Sequence, residues 1–589
     1  MSVIHREGRA GRPVSDTRGS MMGLAMLVGA GTGLGSIAFR WCIQTFTRFF
    51  SGHDDYAAAP GSSNPHVSWL GPFFVLAVPV VGGLLYGPLV NRFAKEARGH
   101  GVPEVMLAVA QRGGRISPKV AVVKTLASAL TIGSGGSVGR EGPIVQIGSA
   151  LGSTLGRLTR LTEDRVKLLV ACGAAGGIAA TFNAPLAGVI FALELILAAF
   201  SIEAFGATVL ASVVASIIGR AAFGDVAFLT LPAFHVQHLI QYTFFALLGV
   251  LAGGVGVAFT RVLYAIEDAC DWAWRGPEWL RPAAGGLALG LVLLALPEMY
   301  GVGYPVLESA TDGKYAIGFL LVLLLGKMIA TSLTIGIGGS GGVFAPSLFI
   351  GATLGAAFGA GAHALLPGAA GAVGAYALVG MGAVFAGAAR APITAVVILF
   401  ELTSEYSIIL PLMLAIVLAT VTSRVLTRDT VYTLKLRRRG IDLEGPAAGA
   451  AIGGEAVASV MEPLPAPVAD SLKLAEAARL LSRSAHGALP VRDPEGAYMG
   501  IVTARAVTEA LAEQPDGAPS VTGDLVQTPP RVTADQQLAH ALRPLLSASG
   551  TGLPVLDAEK DEPVGWLSHQ GALRSLHPPQ DIPPATSPR

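Results

Sequence analysis

Charge is scarce in this sequence: 14% of its 589 residues are Asp, Glu, Lys or Arg, against roughly 25% in a soluble domain. Cysteine is scarcer. Cys42, Cys172 and Cys270 are scattered and mostly set in apolar surroundings, which excludes a disulfide framework and offers no metal-ligand spacing. No nucleophile–base pair or metal-ligand cluster stands out, so an enzyme has little to recommend it and no cofactor is implied. A formal net charge of +1 lacks the basic footprint of a nucleic-acid binder. The N-terminal segment, residues 1–20, carries Arg6, Arg9, Arg12 and Arg18 but no cleavage site, so it is expected to stay cytoplasmic.

What the chain has is apolar length. Just over half of it is hydrophobic, and stretches able to cross about 30 Å of hydrocarbon recur from Met21 to about Thr427, among them Trp69–Val90, Tyr242–Val262 and Ile317–Ile335. Gly, Pro and polar residues interrupt them, which predicts tilted, broken or re-entrant helices in a polytopic all-α membrane domain. The last span runs into "LKLRRRG", Leu434–Gly440. Basic residues at both ends place both termini in the cytoplasm and require an even number of complete crossings.

At about Gly440 the composition changes. A linker, 441–454, leads to a soluble tail that reads as two similar halves, 455–514 and 519–577, each with an amphipathic helix, a short apolar strand and a G-x-apolar-[ST] turn. Helix and strand, twice over, predict a small α/β module.

The membrane part, 21–440, also repeats. "KTLASALTIGSGGSVG" (Lys124–Gly139) and "KMIATSLTIGIGGSGG" (Lys327–Gly342) share ten of sixteen residues, and the match resumes as "APLAGVIFALEL" (Ala184–Leu195) against "APITAVVILFEL" (Ala391–Leu402). Two homologous halves, about 21–225 and 237–435, therefore share one domain, an arrangement that in transporters often puts the substrate site where the repeats meet. Each copy has an apolar segment, then glycines, then a second segment opening near Pro143 or Pro346. That is the pattern of a helix restarting inside the membrane, with unpaired N–H groups and a partial positive charge aimed at a small anion. Close helix packing is the commoner use of membrane glycine, but the coincidence of glycines, a proline and an ionisable pair, in a glycine frame that occurs twice, moves the balance toward function. Glu141 is the sharpest feature. Its counterpart is Phe344, and that of Arg140 is Val343, so the repeat does not itself require charge here. A carboxylate at this depth costs about 3 kcal/mol and is a functional candidate by default. When charged it would compete with the permeant anion, and when protonated it would vacate the site. For Arg140, a structural salt bridge is favoured over a direct ligand role.

"GHGVPE" (Gly99–Glu104), "GREGP" (Gly139–Pro143), "GGVFAP" (Gly341–Pro346) and "DTVYTLKLRRRG" ending at Gly440 resemble, in that order, the anion-pathway segments of the CLC chloride channel and transporter family. The tail resembles a CBS domain pair. This resemblance implies a homodimer with one anion pathway per subunit and two inverted halves. Position by position, it implies that Glu141 is the external gate, with Gly139, Arg140 and the backbone N–H groups of Val343 and Phe344 in the anion-binding set. Tyr432 falls where a hydroxyl faces the anion, although an interfacial aromatic anchor is the plainer reading of that residue. His100 stands where many members carry a serine; it either donates an N–H to the anion or merely caps or packs at a helix start. Leu195 falls at the internal proton-transfer glutamate, with Glu194 at the preceding acidic position. In the tail, Thr503 and Ser568 occupy the nucleotide-turn positions, but Ala506 and Gly571 replace the ribose-binding aspartate, which favours a structural or dimer-contact module. The resemblance thus implies transport of chloride or a similar small anion, gated by protonation of Glu141, as a chloride/proton exchanger in the cell membrane. A passive channel is the alternative, and a nucleotide-sensing membrane receptor a minor one.

Overall fold

The computed structural model describes residues 18–224, 238–368, 370–403, 405–442, 456–513, 522–548, 551–558 and 560–576. Arg6, Arg9, Arg12 and nearly all of the linker lie outside the described residues. The chain divides into two compact units, Met1–Asp442 and Leu443–Arg589.

Among the described residues the first unit is built from helices. Its helices are α1 (Arg18–Ser51), α2 (Phe74–Phe93), α3 (Val102–Gln111), α4 (Pro118–Gly133), α5 (Glu141–Leu158), α6 (Glu163–Phe182), α7 (Pro185–Phe191), α8 (Ile202–Phe223), α9 (Ile240–Ala273), α10 (Arg281–Ala295), α11 (Tyr304–Thr311), α12 (Ile317–Gly336), α13 (Phe344–Leu365), α14 (Val373–Ala389), α15 (Pro392–Thr403), α16 (Ile409–Leu426) and α17 (Thr433–Arg437). Eight described helical stretches are long and apolar enough to cross a membrane, and shorter apolar helices such as α3 and α15 lie between them. This is a multi-pass membrane protein.

The repeat seen in the sequence governs the helix boundaries. In the two copies α4 and α12 end at equivalent glycines, Gly133 and Gly336, and α5 and α13 restart at the equivalent residues Glu141 and Phe344. Further on, α6 and α14 end in left-handed residues, Asn183 (φ 56°) and Arg390 (φ 54°), before α7 and α15 open on Pro185 and Pro392. The halves join where the restarting segments meet. Gly139 N donates to Gly342 O at 2.8 Å and Gly342 N donates to Gly139 O at 2.7 Å, an antiparallel bridge between equivalent residues, as two inverted copies require.

Packing explains other glycines. A Cβ on Gly148 of α5 would stand 2.2 Å from Gly173 O of α6, and in the second copy a Cβ on Gly351 of α13 would stand 2.3 Å from Gly380 O of α14. The small residues let these backbones touch, and the gain is dispersion contact that lipid cannot replace.

The second unit holds α18 (Val457–Val460), α19 (Leu474–Arg483), α20 (Ala504–Glu513), α21 (Leu538–Ser547) and α22 (His569–Leu576) with strands β1 (Val468–Ala469), β2 (Ala488–Arg492), β3 (Tyr498–Thr503), β4 (Gly552–Leu556) and β5 (Pro563–Ser568). In the first half β1 runs parallel to β2, and β2 antiparallel to β3. The second half repeats this with β4 antiparallel to β5 and a parallel bridge from Thr533 to Leu556. Each half has its own apolar core, around Val491 and Val502 in one and Val555 and Leu567 in the other.

Candidate functional site

Three glycine-bearing turns converge at the repeat interface. Gly99, before α3, pairs with the turn before α13: its N–H donates to Gly339 O at 3.1 Å, and Gly341 N donates to Gly99 O at 3.3 Å. His100 O lies 2.1 Å from where a Cβ on Gly142 would stand, so it rests against the first turn of α5. The starts of α3, α5 and α13 are thus held together by backbone contacts. His100, Gly139, Arg140, Glu141, Val343 and Phe344 all belong to these turns.

Two buried lysines brace them. Lys124 Nζ donates to Ala97 O at 3.0 Å and Gly99 O at 2.7 Å. Its counterpart Lys327 donates to Gly301 O at 3.1 Å, Val302 O at 2.9 Å and Ser137 Oγ at 2.9 Å. Both side chains are fully buried, and carbonyl partners are what make a cation tolerable there. The sequence reading passed over this pair, although a lysine at the same place in two apolar repeats was a usable signal.

Glu141, 1% exposed, turns its carboxylate back over the helix start. Oε1 accepts from the Tyr304 hydroxyl at 2.7 Å, and Oε2 faces Ala345 N at 3.4 Å. A negative group thereby occupies the space before the N-terminus of α13, where a transported anion would be drawn. Tyr304 is the third residue the sequence reading missed, after the two lysines. It heads α11, whose entry turn "GVGYP" parallels "GHGVP" at the head of α3.

Arg140 departs from the expected salt bridge. Among the described residues it forms no ion pair within 4 Å; its guanidinium lies over the Tyr304 ring, 5.2 Å from the centroid. Together with Arg40, Asp54, Asp55, Tyr300 and Tyr304 it lines a cavity of about 350 Å³. A second cavity, of about 260 Å³, shares Arg40 and Arg140. In the first cavity the two carboxylates offset the two arginines, whereas the second is lined by Arg40, Arg140 and Arg220 with no carboxylate among the described residues and so has a positive field that concentrates anions.

His100 is 1% exposed, and neither ring nitrogen has a hydrogen-bond partner. The side chain does not cap α3, but its ring packs edge-on to that of Tyr264, with centroids 6.3 Å apart, so packing at the helix start stands beside an anion-facing role. Tyr432 is also 1% exposed, so it is no interfacial anchor. Its segment is fixed by Val431 N donating to Ala388 O at 2.9 Å and by the Tyr264 hydroxyl donating to Val431 O at 2.7 Å. Tyr432 is near enough to feel the Glu141 charge.

Leu195 and Glu194 lie in a π-helical turn, Ala192–Leu197, that continues α7. Leu195 packs into the hydrophobic core. Glu194 caps a helix: its carboxylate accepts from Ile393 N at 3.1 Å, Thr394 N at 2.8 Å and Thr394 Oγ1 at 2.7 Å, at the start of α15.

In the second unit both nucleotide-turn hydroxyls serve local structure. Thr503 Oγ1 accepts from Ala506 N at 3.3 Å. Ser568 Oγ accepts from Gly571 N at 2.9 Å and donates to Glu462 Oε1 at 2.6 Å.

Two inverted helical halves that meet at restarting helices, with a carboxylate lodged at one start, define a class of membrane protein that handles anions. The family model described as "Voltage gated chloride channel" matches residues 82–424, and the CBS domain model matches 457–513. The chain belongs to the voltage gated chloride channel family and carries a C-terminal CBS pair. It is 36% identical over 429 residues to a protein of Ralstonia nicotianae named for its likeness to the chloride channel protein ClcB, covering 72% of this chain and 98% of that one. It is 36% identical over 379 residues to the "H(+)/Cl(-) exchange transporter ClcA" of Vibrio campbellii, covering 62% and 80%. Among solved structures, a slow cyanobacterial Cl⁻/H⁺ antiporter aligns with a TM-score of 0.64 and 27% identity over 72% of this chain and 98% of that one. These relatives are named as transport proteins, not enzymes.

Proposed function

We propose that this chain moves chloride or a similar small anion across the cell membrane as a chloride/proton exchanger, one pathway per subunit of a homodimer, with Glu141 as the gate. The observation that carries the proposal is the Glu141 carboxylate seated between the starts of α5 and α13. A charged carboxylate there excludes a second anion by repulsion and by occupying the space. Protonation removes both obstacles and frees the side chain to leave. The anion then meets the N–H groups of Val343 and Phe344, the unpartnered His100 ring and the Tyr432 hydroxyl, while Gly139 and Arg140 flank the gate. The basic N-terminus and Arg437–Arg439 support cytoplasmic termini. For the CBS pair the engaged hydroxyls of Thr503 and Ser568 support a structural or dimer-contact role over nucleotide binding.

The test of the gate is Glu141→Gln, which mimics the protonated side chain. Chloride flux into reconstituted liposomes is expected to persist and to lose its dependence on pH. A pH profile equal to that of the unaltered protein would refute the gating role.

One observation favours the passive channel instead: Leu195 cannot relay a proton, and Glu194 is engaged as a helix cap. Exchange through this protein would therefore need another internal proton path.

A further inference from the structure

We propose that Tyr304 is the latch of this gate, a positioning residue whose phenol holds the charged Glu141 carboxylate in its seat. The inference rests on the reading of Glu141 as the gate. Of the two donors at hydrogen-bond distance from other elements among the described residues, Tyr304 is the short one, at 2.7 Å against 3.4 Å for Ala345 N. A hydroxyl donating to a carboxylate is stronger than one donating to a neutral acid. Tyr304 therefore stabilises the charged, seated gate more than the protonated one that leaves.

The phenol is fixed from several sides. Gly303, in the left-handed region at φ 87°, turns the chain into α11. Lys327 clamps the carbonyls of Gly301 and Val302 just before it, and the Arg140 guanidinium covers the ring. The charged group acting on Glu141 is Arg140 beside it; Lys327 on α12 feels the Glu141 charge in turn, and Tyr432 ahead of α17 faces it as a neutral phenol. Arg40 on α1 and Asp55 act on this set from further out.

The repeat supplies the second argument. Under the symmetry that pairs Glu141 with Phe344, the residue heading α3 in place of Tyr304 is Val102, preceded by Gly101 at φ 85°. The mirror-image position thus has neither carboxylate nor donor. Gate and latch occur together in one arrangement of the halves and are both missing from the other. A phenol serving only to pack α11 would have no reason to follow the carboxylate.

The test is chloride flux in liposomes as a function of external pH, for the unaltered protein, Tyr304→Phe, Glu141→Gln and the double variant. Tyr304→Phe removes one oxygen and keeps the ring under Arg140. It is expected to let the gate open at a pH about one to two units higher, the range that loss of a hydrogen bond to a charged group supplies. Tyr304→Leu, a second donor-free variant, is expected to do the same should Tyr304→Phe elute as aggregate. In the Glu141→Gln background neither should have a further effect on the pH profile, because the latch then has nothing to hold. A Tyr304→Phe curve that overlays the unaltered one, with Glu141→Gln flat, would overturn the latch and leave the gate standing. A Glu141→Gln curve that keeps the original pH dependence would overturn the gate itself. Equal loss of flux at every pH in Tyr304→Phe would assign the residue to structure and also overturn the latch.

Discussion

A Cβ added at Gly139 would stand 2.1 Å from Glu141 Oε2, against 3.2 Å from the Ala345 Cβ. The closest atom is the end of a flexible side chain, so Gly139→Ala should fold and instead push the carboxylate out of its seat. We expect flux at neutral pH to rise several-fold and the pH profile to flatten toward that of Glu141→Gln. Liposome flux at two pH values checks this, and an unaltered ratio would mean that Oε2 does not need the space Gly139 leaves. The importance of Glu141 was legible in the sequence because the repeat offered an internal control: Phe344 at the same place proved that the turn does not need a charge. Tyr304 was not legible, since it lies 163 residues from the carboxylate it binds and only the meeting of the halves brings them together. Arg140 was misjudged for a related reason. A salt bridge is the usual expectation for an arginine at membrane depth, and nothing in the local sequence announces an aromatic ring as the alternative.

At the level of elements, the two halves exchange helix caps. Glu194, at the end of the α7 segment, caps α15 through Ile393 and Thr394. Glu401, its counterpart on α15, caps α7 through Leu186 N at 2.9 Å and Ala187 N at 2.7 Å. Both helices open on proline in apolar surroundings, where first-turn N–H groups have no water to turn to, and a carboxylate facing the positive end of a helix is a charge-assisted cap. Removing either one should cost about 1–2 kcal/mol, the upper range for a lost cap. Glu194→Ala and Glu401→Ala are accordingly expected to lower the melting temperature by similar amounts. If Glu194 instead carried protons, Glu194→Ala would stop proton movement with no loss of stability, and thermal unfolding beside a flux assay separates the two. The helix boundaries around these caps were readable from glycine, proline and the repeat. The destination of each carboxylate was not, because the reciprocal pairing joins residues 199 to 215 positions apart.

For the molecule as a whole the open choice is between exchange and passive conduction, and the architecture frames it as a question about one face of the pathway. From the Arg40 and Arg140 cavity inward, every requirement of a protonation-operated gate is present: an approach attractive to anions, a carboxylate and a donor to hold it. From the other side the position expected to carry a proton is Leu195, closed into the core. If exchange needs an acid at that one position, chloride driven down its gradient into liposomes should leave the internal pH unchanged. If the buried His100, with both nitrogens free, or ordered water supplies the path instead, protons should move against their own gradient. We expect the second outcome, at a modest rate, because Glu141 would otherwise have no access to protons from within and would report only external pH. The measurement is a pH reporter inside vesicles under an imposed chloride gradient, with a protonophore added to separate coupled from leak movement. Uphill proton movement that vanishes in Glu141→Gln while chloride still flows would establish exchange. Chloride flow with no uphill proton in the unaltered protein would make this member of the family a channel whose gate is titrated from one side.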